Sequence, residues 1–190
     1  MNEVEVYDPS DRKAWRSWLA KNHATKTSVW LVLYKKNAQK ATISWREAVD
    51  EALCFGWIDS KKIKIDAESS HQYFSPRKAK SGWSKINKAK VQELIEQGLL
   101  TAAGLKSIET AKNNGSWNLL DDVEALIIPT DLDQAFALYS GSKDYFLTLS
   151  KSVRKMMLHW VSSAKKIETR HKRIVEIAAK AGENKKPSVF

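Results

Sequence analysis

Strand-like patterning stops at Pro76, and from Ser84 onward the apolar spacing is helical. This division constrains the fold more than any other feature. Strands grouped near the start and followed by helices do not supply the alternating units of a parallel βαβ sheet. Residues 28–35, Ser-Val-Trp-Leu-Val-Leu-Tyr-Lys, are β-branched and aromatic and predict a buried strand. Residues 57–66 partly alternate, and 70–75 can pair back on them across the polar turn Ala67-Glu68-Ser69. Pro76 ends that ladder because it has no N–H to give. The expected fold is α+β: a small, mostly antiparallel sheet with helices in residues 1–120, an all-α region over 121–184, and a tail over 185–190.

Helix signals fill the rest. Asp8-Pro9 predicts the first helix start, with Asp8 as cap, and Ala14, Trp15, Trp18 and Leu19 share one face. Ser44-Trp45-Arg46-Glu47 has the form of a capping box. Its helix places Trp45, Ala48, Val49, Ala52 and Leu53 on one stripe and stops at Gly56. Ser84 predicts another cap, ahead of Ile86, Ala89, Val91, Leu94 and Ile95. Thr101 to Asn114 forms the next helix, with Leu105, Ile108 and Ala111 inward. Asp121 to Asp133 is acidic and broken by Pro129, which predicts a linker, with Asp131 capping a short helix to Tyr139. Two further helices start near Ser152 and Lys166. Eight tryptophans predict a core rich in large rings.

The net charge is +10, and residues 151–190 hold 11 Lys/Arg against 3 Asp/Glu. Such a segment attracts anionic partners, and Lys165, Arg170 and Arg173 form its candidate patch. No run of about 18 apolar residues occurs, so no membrane span is expected. The first residues lack the basic start and apolar core of an export signal. Cys54 is alone and has no disulfide partner in the chain. Together these predict a cytoplasmic location. The four histidines lack metal-ligand spacing, and no phosphate-cradling glycine loop or nucleophile elbow occurs. No metal, cofactor or catalytic residue is therefore assigned.

Residues 77–90 hold six cations (Arg77, Lys78, Lys80, Lys85, Lys88 and Lys90) and no acid. Ser81, Trp83, Ser84 and Asn87 are interleaved where a helix starts, and helix starts present free N–H groups to anions. Arg77 supplies a planar fork for phosphate or carboxylate, and Trp83 a face for stacking. Asp59 and Ser60 follow Gly56 at a strand start. The candidate ligand cleft is Asp59, Ser60, Arg77, Ser81, Trp83, Ser84 and Asn87, for an anionic small molecule or an acidic peptide or protein. The bland alternative is a basic loop, a capped helix, a buried Trp and a local Asp-Ser turn. A second reading makes the cleft catalytic, with Asp59 as base, Arg77 as anion clamp and Ser60 or Cys54 assisting. Cys54, between Leu53 and Phe55 at a helix C-terminal end, reads better as a structural thiol, because that end of the dipole opposes a thiolate. A third reading binds nucleic acid on the C-terminal helices, although only Trp160 there offers a ring for stacking.

Three segments carry a resemblance. They are Ala52-Leu53-Cys54-Phe55-Gly56-Trp57-Ile58-Asp59-Ser60, then Tyr73 to Lys78 with Ser81 to Lys88, and the closing run Ala164 to Ile174. Together they resemble the YdeI/OmpD-associated, or bacteriocin-protection, family. The resemblance implies a protective or stress-related role and implies no reaction, cofactor or catalytic residue. The family has been described as periplasmic, at odds with the location expected from these residues.

Overall fold

A computed structural model describes residues 4–35, 38, 40 and 42–190. The chain forms two compact units that divide between Asn118 and Leu119.

In the first unit β1 (Val6–Tyr7) and α1 (Arg12–Asn22) precede β2 (Val29–Tyr34). Then come α2 (Trp45–Cys54), β3 (Trp57–Lys64), β4 (Ser69–Pro76), α3 (Lys85–Glu96) and α4 (Ala102–Asn113). The strand order is β1-β2-β4-β3. The α+β class holds, but the sheet is mixed rather than mostly antiparallel. β1 runs parallel to β2, while β2–β4 and β3–β4 are antiparallel. The cause is α1, which returns the chain to the sheet in the direction it left. A two-residue strand carries no periodicity to read.

The core of this unit joins Val29, Leu31, Leu33 and Phe74 of the sheet to Trp15, Ala52, Leu94 and Ile108 of the helices. Its tryptophans solve their indole problem on backbone and carboxylate oxygens. Trp15 Nε1 donates to the Ala48 carbonyl at 3.0 Å, Trp57 Nε1 to His23 at 3.1 Å, and Trp18 Nε1 to Glu5 Oε1 at 3.0 Å. Trp15 and Trp18 stack at 5.2 Å.

Several local expectations need correction. Asp11, not Asp8, caps α1, accepting from the Ala14 amide at 2.8 Å. Asp8 instead accepts from Tyr34 Oη at 3.2 Å and from Lys40. The Ser44/Glu47 capping box is present, yet Trp45 is half exposed rather than inward. Ile86, Ile95 and Leu105 also face solvent, whereas Val91, Leu94, Ile108 and Ala111 are buried.

One buried device had no sequence signal strong enough to single it out. Glu51 of α2 is 4% exposed and accepts from Arg12 Nε and Arg16 Nη1, both at 2.6 Å. Arg16 also donates to the Leu99 carbonyl at 2.8 Å. α1, α2 and the α3–α4 turn are thereby tied at one carboxylate.

The second unit comprises α5 (Asp121–Glu124), α6 (Thr130–Phe136), α7 (Ser142–Thr148), α8 (Lys151–Ser162) and α9 (Ile167–Gly182). Residues 121–133 are not a linker. They form α5 and the start of α6, and Val123 and Leu132 enter a core with Phe136, Phe146, Leu158 and Ile177. Pro129, not Asp131, stands at the α6 cap position. Residues 185–190 carry the buried Pro187, and the Phe190 ring meets Trp160 edge-on at 5.6 Å. No helix among the described residues is long and apolar enough to cross a membrane.

Candidate functional site

The site is built where β4 runs out of partners. Pro76 ends the strand, and the Arg77 amide donates to the Gly56 carbonyl at 2.9 Å. Gly56 has φ +72°, and an added Cβ would stand 3.0 Å from the Ala103 carbonyl oxygen. A glycine here both turns the chain and lets α4 come close. The loop after Arg77 is tied down at Ala79, whose carbonyl accepts from Asn114 Nδ2 at 2.8 Å and Ser116 Oγ at 2.9 Å.

Arg77 then folds over Trp83, with the guanidinium carbon 3.8 Å from the ring centroid. Its Nη2 donates to the Gly82 carbonyl. Its Nε and Nη1 are buried and have no hydrogen-bond partner among the described residues. Burial pulls the guanidinium down to about 10, and the negative charge of Asp59 partly opposes that. A buried donor left unpaired costs roughly 1–3 kcal/mol, so this arginine is held against its own solvation.

Arg77 and Trp83 line a hollow of about 390 Å³ with Lys78, Lys106, Ser107 and Thr110. Phe55 and Trp57 also line it, and among the described residues no Asp or Glu does. Its size falls in the range of small-molecule sites. Trp83 is only 2% exposed, with Arg77 over its face and Trp117 5.0 Å away, so the ring is a buried wall and not the open stacking face expected from sequence. Three cations and two hydroxyls suit an oxyanion.

The other expected site residues lie elsewhere. Asp59 and Asn87 line a second hollow with Trp45, Asp50, Ile86 and Lys90. There the Asp59 carboxylate accepts from Trp45 Nε1 at 2.9 Å and Gln72 Nε2 at 3.2 Å. Ser60 and Ser81 line a third hollow beside Tyr73 and Lys78. Ser84 caps α3 by accepting from the Asn87 amide at 3.3 Å. The structure thus brings Arg77 and Trp83 together and does not seat Asp59 with them, so the base-and-clamp arrangement has no common hollow. Cys54 is buried, and burial pushes its thiol up, with Arg16 acting the other way.

The proposed basic patch is largely engaged within its own unit. Arg170 holds Asp131 with Nε at 2.7 Å and Nη2 at 2.9 Å, and this bond keeps the Asp131 carboxyl below its usual range. Arg173 lies 5.1 Å over the Trp160 ring and donates to the Trp160 carbonyl and Ser163 Oγ. Lys165 is exposed. Among the described residues no three His, Cys, Asp or Glu side chains gather where a metal ion would be held.

Lys106, Ser107 and Thr110 were missed from sequence. The available signal was their 0, +1, +4 spacing, which puts three polar groups on one side of α4.

The chain is an α+β domain followed by a helical unit, and it belongs to the family described as a domain of unknown function (DUF8412), whose model matches residues 7–107, more than half of its length. Residues 125–184 match the model of the family described as Bacteriocin-protection, YdeI or OmpD-Associated. That match contains the closing Ala164–Ile174 run, while the two earlier motifs lie inside the other family's match. The search of curated proteins gave no match, and the search of solved structures gave none.

Proposed function

We propose that the protein binds a small oxyanion-bearing molecule in the Arg77–Trp83 hollow and performs no chemistry on it. The observation that carries this reading is Arg77 itself: a buried guanidinium with two unpartnered nitrogens, in a hollow lined by cations and hydroxyls and no carboxylate. Nε and Nη1 are closed to water in this conformation. An entering anion therefore has to move the guanidinium off the Trp83 ring or off the Gly82 carbonyl. Lys106, Ser107 and Thr110 supply the outer contacts from α4. A protective role of the kind named in the matched family's description fits ligand capture. A cytoplasmic setting, proposed from the lone reduced cysteine, fits a soluble anionic metabolite as ligand.

Calorimetric titration of the full chain with inorganic phosphate, citrate and benzoate tests the reading. At least one probe is expected to bind saturably. Lys106→Ala is expected to weaken that binding about tenfold or more, the scale of one charge-assisted hydrogen bond of about 1.5–3 kcal/mol. Lys106 is exposed, so the change leaves the fold alone. No heat from any probe, or equal affinity in both proteins, removes the site.

A further inference from the structure

The two faces of the sheet are unlike. Residues opposite one another in paired strands share a face, which puts Val6, Trp30 and Tyr73 in one row and Val32, His71 and Ile63 in the next. Neither row enters the helix-backed core, whose sheet residues are Val29, Leu31, Leu33, Trp57 and Phe74. Val6 is 54% exposed and Ile63 41%, Trp30, His71 and Tyr73 are half-buried, and Val32 between them is buried at 7%. Isolated apolar residues on a surface mean little, but contiguous ones mark contact sites.

The chemistry of this face is specific. Trp30 and Tyr73 meet edge-on at 4.9 Å and 76°, and His71 lies 6.4 Å from Trp30. Lys61 comes from the irregularity between Asp59 and Lys62 and holds its ammonium 5.2 Å from the Trp30 ring and 5.1 Å from Tyr73. Beside Tyr73 opens a hollow of about 580 Å³, lined by Thr27, Ser60, Ser75, Ser81 and Lys78, with no Asp or Glu among the described residues. The unit as a whole is basic: residues 1–118 hold 20 of the 32 Lys/Arg and 13 of the 22 Asp/Glu.

We propose that this outer face of the sheet binds single-stranded nucleic acid, on a platform of Trp30, Tyr73 and His71 that shares only its rim at Pro76 and Lys78 with the Arg77 hollow. Every base has a π-face, and an aromatic platform next to mobile cations recognises unpaired bases with little sequence preference. Trp30, Tyr73 and His71 supply the platform. Lys61 leaves the rings when a base stacks and turns to the phosphate. The hydroxyls of Ser60, Ser75 and Ser81 meet sugar and phosphate oxygens, and Lys78 adds charge at the rim. A paired duplex hides its base faces and gains only the charge. A neutral sugar gains only the rings.

Fluorescence anisotropy of the full chain with a labelled oligothymidylate of roughly 12 nucleotides, a length within the footprint of such platforms, tests this. Binding is expected at low salt and falls as salt rises. Tyr73→Ala is expected to weaken it about fivefold or more, as loss of one stacked base does. Lys61→Glu, a change at an exposed residue, is expected to do the same with an unchanged melting temperature. The same sequence as duplex is expected to bind at least about tenfold more weakly. No binding at low salt overturns the proposal. So does equal affinity for duplex, which means charge alone, or indifference to Lys61→Glu. Binding of a neutral oligosaccharide in place of the oligonucleotide overturns it as well.

Discussion

Gly104→Ala is expected to destabilise the first unit by about 2–4 kcal/mol, although the same change in an open helix gains up to about 1 kcal/mol. Gly104 sits in the first turn of α4, where Thr101 binds the Cys54 carbonyl with its amide at 3.0 Å and its hydroxyl at 2.7 Å. An added Cβ would stand 2.9 Å from the Leu53 oxygen and from the Cys54 carbonyl carbon, and closer still to that carbonyl's oxygen. These are backbone atoms, which cannot rotate away as a side chain does. The helices have to part, and both Thr101 bonds lengthen. The melting temperature is expected to fall by roughly ten degrees or more. Since Lys106, Ser107 and Thr110 ride on α4, anion binding weakens with it. An unchanged or higher melting temperature would show that α4 is not pressed onto α2.

Arg77→Met is expected to part function from stability. Burial has lowered the Arg77 guanidinium from its ordinary range to about 10, a value that already includes the opposing charge of Asp59, so the fold carries the charge at a cost on the order of 3 kcal/mol. The Trp83 ring returns up to about 2 kcal/mol of that. Methionine keeps the apolar stem on the ring and removes the charge, so stability is expected to change by less than about 1 kcal/mol. Oxyanion binding is expected to fall by about thirtyfold or more, the lower bound for truncating one side of a desolvated charge pair. The pH dependence follows the same sign. The cost of the buried charge is fully present below about 10 and disappears as pH rises from there toward the ordinary guanidinium range, where the unfolded chain binds the extra proton. Differential scanning calorimetry and probe titration on the same protein read both quantities. A large loss of stability would make Arg77 a structural residue and remove the functional reading.

Much of the frame is legible in the residues themselves. The β2 run, the β3–β4 hairpin, the Ser44 capping box and the Ser84 cap are local patterns, and each forms within a residue or two of where its spacing places it. What escaped depends on partners far away in the chain. β1 is two residues long and exists only because β2 offers it an edge. Trp45 and Leu105 obey the helical period, yet α2 and α4 turn those positions outward because Glu51 and Gly104 set which sides of those helices are pressed inward. The acidic stretch 121–133 looked like a linker because its carboxylates are numerous. In the fold Glu124, Asp131 and Asp133 are the counter-charges of Lys155, Arg170 and Lys143. The basic run 77–90 drew attention to Arg77 and Trp83. Charge density alone gave no way to see that the ring would lie under the guanidinium, or that α4 would supply the remaining polar groups.

The most direct measurement is the side-chain Nε–H resonance of Arg77 in a ¹⁵N-labelled full chain during titration with phosphate. Arg12 and Arg16, already clamped on Glu51, serve as internal references. The Arg77 signal is predicted to move saturably as its unpartnered N–H finds an acceptor, while the two references stay still. An Arg77 signal that stays fixed to saturating phosphate, or that drifts in proportion with the other arginines, would contradict a buried guanidinium kept for an anion.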